Sequence, residues 1–370
     1  MTEKVPMFVF MSPSQEQSRQ MRDDCLDEPK WFAYPIKKAG FDLHFKPRPR
    51  AGLSRLRELL RTSKLLCALV FTVGEIEAIA CTLWGHRLRI CSLFQWKALE
   101  NLPLHKRICY RKILDRSRVI AVYDQVSEHY IRKIYPRKHI LRIGLFADTE
   151  FFQPSDNSGP KEDYVVCPGS NFRLEDTVVK IAEQIPLKVV RYSNEPAVRR
   201  YYDRHPNSRV DFRYNIPYSE LRSLMDKARF ILNVADDTQV PAGIYAFCQG
   251  LAMNQIVVTP NMHSSAGYEL PGGEKPYITI DDPFDVNKWI AAAKAIIEGK
   301  AAFTGRPREL AQRFCSLEKS TDDWKRVKDL LLDTPHPNVC PTKHRSHVDH
   351  HLDSGSDANT KYDPEVSEGI

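Results

Sequence analysis

What most constrains the fold of this chain is an alternation. Apolar runs of strand length are separated by amphipathic helical stretches almost from end to end. "MFVFM", "FDLHF", "LCALVFTV", "LRICSLF", "SRVIAV" and "HILRIGL" occupy the first part, and "DYVVCPG", "LKVVRYS", "VDFRYN", "RFILNVA", "QIVVTP" and "PYITID" the second. Strands buried on both faces read as continuous apolar runs, and parallel neighbours need a crossover helix between them. The stretch "LSRLRELLRTSK" supplies such a helix, with Leu53, Leu56, Leu59 and Leu60 on one face. Alternation of this kind predicts an α/β protein with mostly parallel sheets. At 370 residues the chain exceeds what one core usually serves, so two doubly wound, Rossmann-like domains facing an interdomain cleft are expected.

The boundary falls at "FFQPSDNSGPKED", Phe151 to Asp163, where Pro, Ser, Gly and charge displace apolar residues. This divides the chain into a first domain at 1–150, a linker at 151–162 and a second domain at 163–333. The second domain ends in two helices within "RPRELAQRFCSLEKSTDDWKRVKDLLLD", with Ser320 or Thr321 read as the cap of the last one. Residues 334–370 have no helical or strand period and are expected to be a disordered tail. The tail holds five of the twelve His, and Cys340, His344, His347, His350 and His351 have donor chemistry suited to a metal. A tail without a core does not fix ligand geometry, and no metal site is assigned.

The longest apolar run, Leu65 to Val73, is far short of the ~18 residues a membrane span needs. The N-terminal "VPMFVFM" reads as a first strand and not as a signal core. Nine Cys without a CxxC pair fit a reduced compartment, so a cytoplasmic location is expected. The formal charge is +7, and from Lys37 to Lys64 nine Lys or Arg stand against Asp42 and Glu58. Such a segment is either a solvated basic face or a contact for an anionic membrane surface, at the inner face of a membrane, or for a polyanionic substrate.

Ligands of open α/β sheets bind where strands end and helices begin, because free helix amides favour anions there. The loop "MSPSQEQSR" after the first strand has no Gly, and the chain contains no GxxxxGK[ST], HExxH or GxSxG arrangement. Kinase, zincin and serine-hydrolase readings therefore lack their main support. In "CPGSNFRLEDTVVKIAE", Gly169 and Ser170 end a strand and Arg173 opens a helix, an arrangement suited to a diphosphate. The competing reading is a surface Arg beside Glu175 and Asp176. "NVADDTQVPAGIYAFCQG" repeats the pattern, with Pro241 as a first helical residue and amides around Ala242 and Gly243.

Four segments in order carry a family resemblance: "GLFADTEFFQP", "YNIPYSELRSLMDKARFILNVA", "AGYELPGG" and "QGLAMNQIVVTP". With them the second half resembles the donor-binding domain of a GT-B glycosyltransferase, most similar to the retaining, nucleotide-sugar-dependent family 4. The resemblance implies donor-binding roles for Gly169, Ser170, Arg173, Ile216, Ala242, Gly243 and Gln249. For the first domain it implies catalytic roles for Glu75, after the third strand, and for Gln95, where the family often has a His. It implies hexosyl transfer of the EC 2.4 type, with retention, from a nucleotide-sugar to a glycan, lipid-linked or small-molecule acceptor, as in polysaccharide biosynthesis, without a metal or other cofactor.

The chain also departs from that family. Its acidic pair is replaced by Pro241 and Gln249, although Asp236 and Asp237 stand nearby. Gln249 can hydrogen-bond ribose hydroxyls but carries no charge. Two other readings follow: a GT-B-like binding protein with weakened catalysis, and a nucleic-acid-modifying protein whose basic first domain grips phosphates. Cys248 reads as a packed small residue and not a nucleophile.

Overall fold

The computed structural model describes residues 5–9, 15–45, 68–69, 90–93, 103–104, 107–108, 111, 114–115 and 117, and most of 119–332. Within the last span, residues 157–158, 171, 207, 237–241, 263–264 and 302–304 fall outside the description. The sequence readings at Lys46 to Lys64 and in the tail also lie outside the described residues.

In the first half, β1 (Val5–Val9) lies between β2 (Phe41–Phe45) and β3 (Ala68–Leu69). A second group of three sets β5 (Val119–Val122) between β4 (Ile90–Leu93) and β6 (His139–Arg142). Every pairing is parallel, and β3 packs beside β4. Three described helices, α1 (Gln15–Arg19), α2 (Ala33–Lys38) and α3 (Gln125–Ile134), connect them. The start of α3 is set by Asp124, whose carboxylate accepts from the Ser127 N–H at 2.6 Å as an N-cap.

The second half contains β7 (Tyr164–Cys167), α4 (Glu175–Gln184), β8 (Lys188–Ser193), α5 (Pro196–Arg204), β9 (Val210–Tyr214), α6 (Tyr218–Lys227) and β10 (Ile231–Leu232). It continues through α7 (Ile244–Ala252), β11 (Val257–Pro260), β12 (Ile278–Ile280) and α8 (Val286–Ile297). Its six strands form one parallel sheet in the order β12-β11-β10-β7-β8-β9. The chain builds outward from β7 through β8 to β9, then crosses to the other side of β7 with β10. Strand order reverses between β7 and β10, the place where such sheets open a crevice.

Both sheet faces are covered. On one side Val165, Val189, Phe230 and Leu232 pack with Ile181 of α4 and the fully buried Trp289 of α8. On the other, Val166, Ile231 and Val257 pack with Met225 of α6 and Phe247 of α7. Two covered faces explain why β7 reads as an unbroken apolar run and why every residue of β11 is buried.

The last two helices are α9 (Pro307–Phe314) and α10 (Leu317–Leu332). The sequence reading grouped α10 with the second domain. Its apolar residues Trp324, Val327 and Leu331 instead pack with Met7, Ile36, Phe41, Val119 and Ile143 of the first half, and Trp324 meets Phe41 edge-on at 6.1 Å. With the second sheet already covered on both faces, this helix finds its partner surface across the molecule. Its cap is Ser316 rather than Ser320 or Thr321, since the Ser316 hydroxyl accepts from the Lys319 N–H at 3.1 Å. The expected linker opens with two buried rings, Phe151 and Phe152. Among the described residues no helix is long and apolar enough to cross a membrane.

Candidate functional site

At the strand-order reversal, the loop after β7 meets the loop after β10. Arg173 pairs with Ala235 as an antiparallel bridge, and its Nη1 donates to Asn233 Oδ1 at 2.6 Å. Asn233 is fully buried and donates from Nδ2 to Thr259 Oγ1 at 2.9 Å, which turns its carbonyl oxygen toward the guanidinium. Arg173 is thereby held from the sheet side.

Its charge is not neutralised there. Glu175 is committed to the buried Arg191, with Nη2 to Oε1 at 2.5 Å and Nε to Oε2 at 3.0 Å, and Asp176 accepts from the Tyr201 hydroxyl at 2.5 Å. Among the described residues no ion pair involves Arg173, and its buried Nε has no hydrogen-bond partner. Burial lowers the guanidinium toward about 10, which still leaves it charged at neutral pH. The competing sequence reading was a surface Arg beside Glu175 and Asp176; the residue is half-buried, and both carboxylates are engaged elsewhere.

Two glycines wall it in. Gly169 has φ +115°, and a Cβ there would collide with the Arg173 guanidinium. Gly243 has φ +80°, and a Cβ there would stand 2.5 Å from Asn233 Oδ1 and 2.8 Å from Arg173 Nη1. Only glycine satisfies both the backbone angle and the space. Gly243 is also the N-cap of α7 and offers no side-chain acceptor, so the first amides of α7 are left without a side-chain cap next to Arg173.

From this start α7 divides cleanly. Ala242, Tyr245, Ala246 and Gln249 line a cleft of about 690 Å³, a spacing that follows one helical face. Phe247, Cys248 and Leu251 point into the core. Cys248 donates from Sγ to the Leu145 carbonyl at 3.7 Å, and burial raises its thiol well above the ordinary range, which suits packing and not nucleophilic attack.

The facing wall comes from the first half and the segment after β6, through Pro29, Lys30, Trp31, Phe32, Phe146 and Asp148. Its charged groups are engaged. Asp148 accepts from the N–H groups of Lys30 (2.8 Å), Glu150 (3.2 Å) and Phe151 (3.1 Å). Lys30 donates from Nζ to the carbonyls of Arg22 (2.8 Å), Asp23 (3.4 Å) and Cys25 (2.5 Å). Ser170 and Asn194, also in the cleft, are hydrogen-bonded to each other.

The structure thus brings Gly169, Ser170, Arg173, Ala242, Gly243 and Gln249 to one cleft. Ile216 lies elsewhere, in an adjoining cavity of about 910 Å³ with Arg19, Asn215 and Arg222 that shares Tyr192, Asn194 and Tyr218 with the first. It follows β9, one strand farther from the reversal than β8, and packs partly against the core. Glu75, Gln95, Asp237 and Pro241 lie outside the described residues. Asp236 sits beside the site and donates its backbone N–H to the Phe172 carbonyl at 2.9 Å.

Sequence reading missed Arg191. Fully buried in β8, it donates from Nη1 to the carbonyls of Cys167 (3.2 Å) and Gly169 (2.6 Å), and Glu175 also accepts from Tyr202 at 2.8 Å. It braces the loop on which Gly169 and Arg173 stand. The available signal was an arginine inside the apolar run "LKVVRYS".

No family model and no curated protein matches the chain. Solved structures do. HepE of Anabaena in complex with UDP is 10% identical, covers 88% of this chain and 99% of its own, and superposes with a TM-score of 0.64. Sucrose-phosphate synthase from Thermosynechococcus elongatus is 13% identical over 89% and 99%, with a TM-score of 0.66. A glycosyltransferase from Rickettsia africae is 10% identical over 90% and 99%, at 0.64. Parallel strands in both halves, a cleft lined from both, and a last helix that packs back on the first half give this chain the GT-B fold of those glycosyltransferases.

Proposed function

We propose that the chain is a glycosyltransferase, taking a sugar from a nucleoside-diphosphate donor to an acceptor that is a glycan, a lipid-linked saccharide or a small molecule. The observation that carries this reading is Arg173: a half-buried guanidinium without an ion-pair partner among the described residues, lining the cleft at the strand-order reversal. A charged group in that state favours an anionic ligand, and the amides of α7 add positive potential on the same side. HepE, which shares the fold, was solved with UDP, with UDP and glucose, and with UDP-glucose.

In this reading Arg173 and the first amides of α7 hold the diphosphate and stabilise the negative charge that builds on it as the glycosidic bond breaks. No metal ion is called for. Gln249 stands six residues beyond Gly243, roughly 9 Å along the helix, the distance at which a ribose would follow a diphosphate. Its amide then donates to or accepts from ribose hydroxyls. Glu75 and Gln95 are the proposed catalytic groups of the first half. The reading also places the protein in the cytoplasm, with an inner membrane surface as a candidate contact.

A catalytically weakened binding protein is the second reading, favoured by the neutral Gln249 in the cleft. Incubation with UDP-, GDP-, ADP- and dTDP-sugars separates the two. A transferase releases nucleoside diphosphate from at least one of them, and faster with acceptor present. Binding of a nucleotide without any release would retain the site and remove the catalysis.

A further inference from the structure

One residue of the cleft is held in a conformation its type avoids. Phe172 has φ +55°, inside the left-handed region that bulky side chains rarely enter. Local structure fixes it there from its C-terminal side. Its carbonyl accepts from the Asp236 N–H at 2.9 Å, and the next residue is tied to Ala235 and Asn233. The ring gains no burial in return, since 57% of the residue is exposed, and it lines the cleft beside Arg173. Tyr245, two residues beyond Gly243, also lines the cleft with 41% of its surface exposed. An apolar ring kept in water by a strained backbone points to a ligand that covers it. The surrounding polar side chains narrow the choice. Asp148 and Lys30 are engaged within the protein and Ser170 and Asn194 bond each other, so the rings supply the apolar surface beside Arg173 and Gln249.

We infer that Phe172 and Tyr245, which line the same cleft as Arg173, form two aromatic walls that hold the pyranose ring of the donor by its C–H faces. This rests on the nucleotide-sugar reading of the same cleft and makes the pair specificity-determining for the sugar, not for the nucleotide. The Phe172 strain then serves to place the ring against the sugar next to the phosphate.

The test compares UDP with UDP-glucose and GDP with GDP-mannose by calorimetric titration into the wild type, Phe172→Gly, Phe172→Leu and Tyr245→Leu. Phe172→Gly relieves the positive φ, so its melting temperature should equal or exceed that of the wild type. The expected result is unchanged affinity for the bare diphosphate and a roughly three- to tenfold loss for the matching nucleotide-sugar in Phe172→Gly and Tyr245→Leu. Phe172→Leu should fall between, because it keeps apolar area without the ring face. Equal loss for diphosphate and nucleotide-sugar would move the rings to the nucleotide and overturn the inference. Unchanged nucleotide-sugar affinity in all three variants would overturn it too, while leaving the donor site in place. A wild type that binds none of these four probes, nor ADP-glucose or dTDP-glucose, would overturn the transferase reading itself, and the ring pair with it.

Discussion

Replacing Arg173 by Met isolates the charge at the centre of the site, because the chain length is nearly kept while the five N–H donors are lost. Among the described residues one donor is used on Asn233 and the buried Nε has no partner, which leaves three N–H groups on Nη1 and Nη2 for a ligand. Two charge-assisted bonds to a diphosphate, at about 1.5 kcal/mol each, contribute about 3 kcal/mol, or roughly a hundredfold in affinity. The variant gives up its bond to the buried Asn233 carbonyl but is relieved of a desolvated guanidinium, so stability should shift by no more than about 1 kcal/mol. Arg173→Lys keeps the charge without the planar fork and should lose roughly tenfold. Calorimetric titration of UDP and GDP at 0.15 M salt, paired with thermal melting, measures both quantities. Equal affinities for wild type and Arg173→Met would refute the reasoning, as would an affinity loss fully accounted for by unfolding.

Arg191→Met leaves Glu175 charged and half-buried and should cost about 3–5 kcal/mol in urea unfolding, most of it recovered in the Arg191→Met, Glu175→Gln double variant. Gly243→Ala adds a positive-φ penalty of about 1–2 kcal/mol and pushes Asn233 and Arg173 aside, so stability and diphosphate affinity should fall together in melting and titration. Gln249→Ala should weaken nucleotide binding by roughly five- to tenfold, the loss of one or two neutral hydrogen bonds, with an unchanged melting temperature. Burial raises the thiols of Cys167 and Cys248, which keeps both protonated where free thiols ionise. Iodoacetamide at pH 8 should therefore leave both unlabelled in the native protein by peptide mapping. The same shift, a folded value above the unfolded one, gives stability that is intact below the ordinary thiol range of about 8.5 and declines as the pH rises beyond it, which melting curves between pH 7 and 10 would show.

Much of the second half was legible because its physics is local. Strands buried on both faces must read as apolar runs, and Gly169, Arg173 and Gly243 fall at strand-to-helix loops by spacing alone. What was hidden depends on contacts distant in sequence. Arg191 is paired sixteen residues away with Glu175, and nothing near it in the chain announces a carboxylate. The destination of α10 is set by apolar residues near the N-terminus, Met7, Ile36 and Phe41, that the sequence places some three hundred positions away. That Glu175 and Asp176 are engaged by Arg191 and Tyr201, and not by Arg173, was visible only in the fold. The left-handed turn at Phe172 had no signal either, since such a backbone is ordinarily marked by Gly or Asn.

A crystal structure of the protein soaked with UDP or GDP tests the central claim most directly. The account predicts diphosphate oxygens at roughly 2.7–3.1 Å from Arg173 Nη1 or Nη2 and from the first amides of α7, with the ribose toward Gln249. Density for the diphosphate elsewhere on the molecule, with Arg173 still bonded to Asn233 alone, would contradict it.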